Sequence, residues 1–99
     1  MENTNFVPKL SHIQKLTREN SVNIVKEKGN YFIKDIGEQI TESAKEGNNY
    51  IFYRAENKDE YIVEAFEMAL SAFEQEGYMV RRYYKDNSPL LNVGIIWTI

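Results

Sequence analysis

The sequence predicts an α+β fold, in which a long amino-terminal helix is followed by a β-α-β-β unit with a small three-stranded sheet and one packed helix. Two patterns support this prediction. In the first half of the chain, apolar residues recur every three or four positions, which is the period of a helix. In the second half, three segments rich in strand-forming residues surround a second amphipathic helical stretch. The chain has 99 residues, so we expect a single domain over 1–99 with one core.

The first predicted element is a long helix over 16–47. Thr17 or Ser21 can cap its start, and Gly47 is typical of the residue that follows the last turn of a helix. The alternative within residues 22–36 is a hairpin of Val22–Lys26 and Tyr31–Ile36, with Lys28-Gly29-Asn30 as its turn. In a helix, the interior Gly29 costs about 1 kcal/mol relative to alanine. We favour the helix because the spacing of three and four continues through that glycine. The apolar positions with this spacing are Val22, Val25, Gly29, Phe32, Ile33, Ile36, Ile40 and Ala44.

The length of this helix predicts self-association. Even if it is limited to 18–46, the helix is about 43 Å long at about 1.5 Å per residue. A compact domain of this size is only about 33 Å across. We therefore expect the apolar stripe to pack against the same helix of a second copy, in a homo-oligomer. Residues 1–9, which precede the helix, are predicted to be a flexible arm.

Residues 48–99 are predicted to form the β-α-β-β unit. Its first strand covers 50–54, which is rich in aromatic and β-branched residues. Asn57 and Glu60 have the spacing of a capping box at the start of a helix, and Gly77 ends that helix. This part of the chain therefore predicts one strand followed by one amphipathic helix.

Two further strands are predicted over 78–84 and 90–98, separated by a turn at 86–89. Because the connection is short, we expect the two strands to pair as a hairpin. Alternation divides the last strand into two sides, with Leu90, Asn92, Gly94 and Ile96 on one of them, and it leaves open which face of the sheet is buried. The other side is uniformly apolar. The residues on that side are Leu91, Val93, Ile95 and Trp97.

The residue inventory argues against catalysis. The chain has no cysteine, so disulfides, thiolate zinc sites and cysteine nucleophiles are excluded. Its five glycines are too dispersed for a phosphate-binding loop. The single histidine, His12, has no motif that places a nucleophile and an acid beside it, and we expect a surface histidine. We predict a protein that is not an enzyme and that uses no cofactor or metal.

Two clusters of side chains are candidate contact sites. The first combines arginine, whose guanidinium pairs with phosphate, and tyrosine, whose ring stacks on bases. Its members are Arg54, Arg81, Arg82, Tyr53, Tyr83 and Tyr84. The second is an acidic stripe on the second helix, which could contact a basic partner. Its members are Glu60, Glu64, Glu67 and Glu74. The alternative is that the rings pack a sheet face or a subunit interface, while the arginines pair with the acidic helix and its remaining carboxylates are solvated.

Several short segments between 16 and 99 resemble those of small bacteriophage-encoded proteins of unknown function. The resemblance rests on five segments: Leu16-Thr17, Ala44-Lys45-Glu46-Gly47, Gly77-Tyr78-Met79-Val80, Tyr83-Tyr84 and Ile95-Ile96-Trp97. The chain departs from the pattern at Ile96, where a small polar residue is expected before the tryptophan. Small phage proteins without enzymatic motifs often bind host factors or sequester host immune signals, and the resemblance implies this context.

We therefore predict a non-enzymatic, phage-type binding protein that inhibits a host defence system. It would sequester a nucleotide-like signal, or bind a host protein with the acidic stripe imitating nucleic acid. The alternative is a small structural, self-assembling or virion-associated protein without a small-molecule ligand. With a net charge of −3, nucleic acid is not an expected partner. The sequence contains neither a membrane span nor an amino-terminal secretory signal, so the predicted location is the cytoplasm, that of the host cell if a phage encodes the chain.

Overall fold

The computed structural model describes residues 7–99 and consists of two helices and a three-stranded antiparallel sheet. The predicted α+β fold, a long helix followed by β-α-β-β, is confirmed. In chain order the elements are α1 (Leu10–Lys45), β1 (Tyr50–Glu56), α2 (Ile62–Gln75), β2 (Met79–Arg82) and β3 (Leu90–Ile96).

The sheet has the strand order β1-β3-β2, and both neighbouring pairs are antiparallel. The predicted hairpin of the last two strands is therefore confirmed. Because β3 lies in the centre, α2 connects the two edge strands. Side chains of β1 alternate strictly between buried and exposed, and the buried ones join both helices in one core. The sheet thus has one face covered by helices and one open face. The core side chains with under 2% exposure are Phe66, Ile36, Leu70, Leu91, Ile95 and Val93.

The helix α1 starts six residues earlier than predicted, at Leu10, and Lys9 at its N-cap makes no side-chain capping hydrogen bond. The predicted caps are wrong: Thr17 and Ser21 lie inside the helix, where the Ser21 hydroxyl donates to a backbone carbonyl one turn earlier. The prediction missed this start because the first turns lack a capping residue and the apolar spacing there differs from that of the core stripe. The predicted flexible arm lies partly outside the described residues, since only 7–9 of its nine positions are included, and these are exposed.

The hairpin alternative is wrong, because α1 continues without interruption through Gly29. This glycine is buried where α1 crosses α2. A Cβ atom placed there would lie 2.0 Å from the Met68 Cε and 3.3 Å from the Ala65 carbonyl oxygen. Glycine is present for close packing of two helices, and the loss of helix propensity is offset by that contact.

Only the carboxyl-terminal half of α1 belongs to the core. Its buried residues are Gly29, Phe32, Ile36 and Ile40, and every residue in 10–20 is exposed. The predicted apolar stripe is thus too long at both ends, since Val22 is 60% exposed and Ala44 is exposed as well. The projecting helix makes the molecule 72 Å long, with a radius of gyration of 18.5 Å, against about 13 Å for a compact chain of this length.

Both helices end just before the glycines that were predicted to follow them, α1 at Lys45 and α2 at Gln75. Gly47 has a φ of 85° and Gly77 a φ of 108°, values that favour residues without a Cβ atom. After α1, the Asn48 amide donates to the Ser43 carbonyl over 3.0 Å. The equivalent bond after α2 joins Tyr78 to the carbonyl oxygen five residues earlier, over 3.1 Å. These two turns place the strands β1 and β2 against the helices.

The predicted capping box at the start of α2 is wrong. The helix begins at Ile62, and Glu60 precedes it in an irregular turn. The Asn57 side-chain amide instead donates to the carbonyls of Asp86 and Ser88, over 3.1 and 2.9 Å. It ties the β1–α2 connection to the hairpin loop, so its hydrogen bonds stabilise contacts between two loops rather than a helix end.

The last two strands are shorter than predicted, ending at Arg82 and Ile96. Trp97 leaves the strand and packs edge-on against Tyr78, with ring centroids 6.0 Å apart. Neither helix in the described part of the chain is long and apolar enough to cross a membrane.

Candidate binding face of the sheet

The open face of the sheet is formed by the strand residues that alternate with the buried ones. Register places Phe52 of β1 beside Gly94 of β3, and Gly94 beside Arg81 of β2. In the next row, Arg54 lies beside Asn92. The face thus combines aromatic, apolar and cationic side chains with one carboxylate, that of Glu56. Its full membership is Tyr50, Phe52, Arg54, Glu56, Met79, Arg81, Tyr83, Leu90, Asn92, Gly94 and Ile96.

Two aromatic rings converge at the centre of this face. Phe52 is 75% exposed and Tyr83 is 58% exposed. A Cβ atom placed on Gly94 would lie 3.6 Å from a ring carbon of each. Tyr83 is held there by its amide, which donates to the Asn92 carbonyl over 2.9 Å and extends the ladder beyond β2. Gly94 itself is buried, so the two solvent-facing rings close over its backbone, and their exposed faces offer a surface on which a planar group can stack.

Two arginines share the face with these rings. The Arg54 Nε donates to the Asn92 Oδ1 over 3.1 Å, which orients the guanidinium and leaves its terminal nitrogens exposed. Arg81 is exposed beside Gly94. None of the ion pairs formed within residues 7–99 includes either arginine. Both guanidinium groups can therefore bind an anion without first giving up a carboxylate.

Arg82, the next residue after Arg81, points to the helix side of the sheet and is fully engaged. Its Nε donates to both carboxylate oxygens of Glu67 over 2.9 Å, and its terminal nitrogens donate to Glu74 over 3.0 and 3.3 Å. These carboxylates raise the pKa of Arg82, while its hydrogen bonds lower the pKa of Glu74. The Tyr84 hydroxyl also donates to Glu67. This cluster fastens β2 to α2.

Tyr53 is buried on the same covered side. Its ring stacks on Phe66 with centroids 6.0 Å apart, and its hydroxyl donates to Asp35 of α1. Burial, followed by the hydrogen bond to the carboxylate, raises the pKa of this hydroxyl. The pKa of Tyr84 is raised for the same two reasons, burial first and then its bond to Glu67. Both tyrosines therefore connect the sheet to the helices.

The structure divides the predicted Arg/Tyr cluster between the two faces of the sheet. Arg54, Arg81 and Tyr83 lie together on the open face. The other three members, Tyr53, Arg82 and Tyr84, lie on the covered face and follow the alternative in which such residues pack and pair within the molecule. Sequence reasoning also missed three residues of the open face, although the period-two alternation of strands was a signal that could have found them. These are Phe52, Asn92 and Gly94.

The predicted acidic stripe does not form one free surface. Glu67 and Glu74 are paired with Arg82, as described. Glu64 is exposed on α2, and Glu60, also exposed, lies before the helix near Tyr61. Two of the four carboxylates are therefore neutralised, which weakens any imitation of nucleic-acid charge by this helix.

Within residues 7–99, no group of three or more histidine, cysteine or acidic side chains is arranged to hold a metal ion. His12 is exposed on the projecting part of α1.

Comparisons with protein-family models, with curated proteins and with solved structures find no match for this chain.

Proposed function

We propose that the chain is a non-enzymatic binding protein whose open sheet face holds a nucleotide-like ligand. A base would stack on the rings of Phe52 and Tyr83, and the phosphate would pair with Arg54 and Arg81. The observation that supports this proposal is the convergence of two exposed rings over Gly94 beside two arginines that have no carboxylate partner within residues 7–99.

The size and charge of the face favour a small ligand over a long polyanion. Stacking of one base on an aromatic side chain contributes about 1–3 kcal/mol, and the face offers two such rings. It offers only two cations, Arg54 and Arg81, within a chain of net charge −3. Affinity for long nucleic acids depends on neutralising many phosphates. A mononucleotide, dinucleotide or cyclic nucleotide matches these groups better.

Binding of a protein to the same face is the second candidate. The row of side chains beside Phe52 is apolar, with Tyr50 47% and Met79 54% exposed, and Leu90 at the opposite end of β3 is 37% exposed. Aromatic residues, methionine and arginine are the types enriched in protein interfaces. A host protein would use the whole face, whereas a nucleotide would use only its centre. Inhibition of a host defence, in a host cytoplasm, remains a proposal for either ligand.

The proposal is tested by thermal stability and calorimetry against a panel of mononucleotides, dinucleotides and cyclic nucleotides. A ligand present at 100 times its dissociation constant should stabilise the fold by about 2.7 kcal/mol. The double variant Arg54→Gln/Arg81→Gln should lose that stabilisation. Lys34→Gln removes an exposed cation from α1 and is the matched control. This variant should be stabilised by the ligand as strongly as the wild type. If no nucleotide stabilises the wild-type protein, the nucleotide proposal is wrong and the protein-binding candidate takes its place.

A further inference from the structure

The amino-terminal segment of α1, residues 10–20, carries apolar side chains that nothing in the described chain covers. Leu10 is 70%, Ile13 is 39% and Leu16 is 41% exposed. This segment extends beyond the globular part of the molecule as an isolated helix. Isolated helices of this length are marginally stable in water, so a partner that covers the apolar side would stabilise it.

Leu10 and Ile13 belong to a second helical face, distinct from the one that packs into the core, and Leu16 lies at the edge of this face. The face has the spacing of three and four that is typical of a coiled-coil seam. At about 100° per residue it lies roughly 120° around the helix from the core residues. In the amino-terminal half, its members are Leu10, Ile13, Thr17, Asn20, Ile24, Glu27 and Tyr31. Three of these seven positions are polar, and polar seam positions fix the register of paired helices at a cost in stability.

The same face continues into the carboxyl-terminal half of α1, where it becomes acidic. With unchanged spacing, the next positions after Tyr31 are Asp35, Glu38 and Glu42. These residues, with Glu46, form the rim of a groove between α1 and the edge strand β1. The floor of the groove contains β1 side chains, among them the exposed pair Tyr50 and Phe52, whose ring centroids are 5.7 Å apart. The groove is thus aromatic below and acidic along one side.

The projecting part of α1 carries a net positive charge, whereas the groove is acidic. Residues 7–28 contain five basic and two acidic side chains, whereas residues 35–46 contain four acidic side chains and one basic. A helix that is basic at one end and acidic at the other complements a reversed copy of itself. A parallel pair would place like charges side by side along both halves, which is unfavourable.

We propose that two copies of the chain pair through α1 in antiparallel orientation. The basic, apolar amino-terminal segment of each copy lies along the acid-rimmed groove of the other. Matching residues 9–20 to residues 35–46 places the two-fold axis between Glu27 and Lys28. Residues that face each other across the axis then have numbers that add up to about 55, so Ile13 of one copy lies near Glu42 of the other. The pairing is isologous, and both segments are covered at once.

A second copy fits this face better than an unrelated acidic partner. The chain itself supplies both an amphipathic basic helix and an acidic groove with an aromatic floor, and the two-fold axis uses each of them twice. An unrelated partner would cover the projecting segment and leave the groove empty. Phe52 contributes to both the groove and the proposed nucleotide site, whereas Arg81 and Tyr83 lie outside the groove. The Arg54→Gln/Arg81→Gln variant can therefore lose nucleotide binding and keep the pairing, so the failure of one proposal is distinguishable from the failure of the other.

Single cysteines test the pairing cleanly, because the natural chain contains none. With a short bismaleimide, Glu27→Cys should cross-link to itself. Ile13→Cys should not cross-link alone, but it should cross-link when mixed with Glu42→Cys. Efficient cross-linking of Ile13→Cys to itself would show a parallel pair and overturn the proposal.

Sedimentation measures the assembly without modification. The wild-type protein should sediment at micromolar concentration as a species of twice 11.7 kDa. Ile13→Asp should dissociate it, whereas Ser11→Asp places the same charge on another exposed face and should not. Raising salt should weaken the pairing, because exposed charges are screened beyond about 10 Å at 0.1 M. A folded wild-type monomer, or equal behaviour of the two variants, would overturn the proposal.

Discussion

The two faces of the sheet are made from the same strands and similar residue types, yet they differ in what those residues contact. On the covered face, Arg82 is bound by two carboxylates and Tyr84 donates to one of them. On the open face, Arg81 and Tyr83 are their immediate neighbours in the chain and contact solvent instead. Of two adjacent residues of the same type, one can therefore stabilise the fold while the other remains available for binding.

This difference arises from the alternation of strand side chains and from the position of α2. The helix lies over one face only, and its Glu67 and Glu74 reach the arginine on that side. A carboxylate within reach fixes a guanidinium group, whereas an arginine without one remains available for a ligand. The comparison teaches that the surroundings of an arginine, rather than its neighbours in sequence, decide its role.

The largest predicted difference between the faces concerns phenylalanine. Phe66 is fully buried and contacts the rings of Phe32, Tyr53 and Tyr84. Phe66→Ala should lower the free energy of unfolding by about 3–5 kcal/mol. Phe52→Ala, on the open face, should change that of the monomer by no more than about 0.5 kcal/mol. Urea denaturation at a protein concentration too low for pairing measures both, and similar losses for the two variants would show that the open face is covered within the monomer.

The next largest effect concerns the arginine pair. Arg82→Gln leaves Glu67 and Glu74 without a cation and should cost about 1 kcal/mol, because the side chains are partly exposed. Arg81→Gln should be neutral within about 0.5 kcal/mol. Both variants lose one charge, so the comparison removes the effect of net charge. Denaturation midpoints at neutral pH measure both losses of stability. A larger loss in Arg81→Gln than in Arg82→Gln would contradict the division of roles between the two faces.

Alkaline pH should weaken the covered face specifically. The pKa of Tyr53 and of Tyr84 is raised in the folded protein above the ordinary 10.0, chiefly by burial. The folded state thus retains protons that the unfolded chain releases. Their contribution to stability is complete below pH 10.0 and is lost progressively as the pH rises above it. Tyr84→Phe should make this decline less steep, and an unchanged alkaline decline in the variant would contradict the assignment.

The smallest effect on stability, with a larger effect on binding, is expected at Gly94. A Cβ atom there would make ordinary contacts of 3.6 Å with Phe52 and Tyr83. Gly94→Ala should therefore fold normally, within about 0.5 kcal/mol of the wild type. The added methyl group fills the space between the rings and should weaken nucleotide binding. Calorimetry measures the binding, and unaltered affinity in a folded variant would place the ligand elsewhere.

The sequence predicted the regular parts of the fold well because local rules determine them. Period-two alternation separated the two sides of β3 but did not decide which of them is buried, and the glycines at 47 and 77 marked both helix ends. The start of α1 was missed because no capping residue stands there. Asn57 was misassigned because its hydrogen bonds go to a loop 29–31 residues away in sequence, which no local pattern reveals.

The candidate site was predicted only in part, for a similar reason. Residue type identified arginines and tyrosines, but only the three-dimensional position of α2 determines which of them are already paired. Strict alternation could have separated Tyr53 from Arg54 and added Phe52. The convergence of Phe52 and Tyr83 over Gly94 depends on the register between β1 and β3, and that register follows from the packed structure.

The most direct test of the division between the faces is a binding titration of the best nucleotide ligand to Arg81→Gln and Arg82→Gln. Arg81→Gln should bind at least about tenfold more weakly than the wild type, which corresponds to about 1.4 kcal/mol. Arg82→Gln, measured where it is fully folded, should bind with wild-type affinity. The opposite order, with affinity lost in Arg82→Gln and kept in Arg81→Gln, would contradict the assignment of the open face as the binding site.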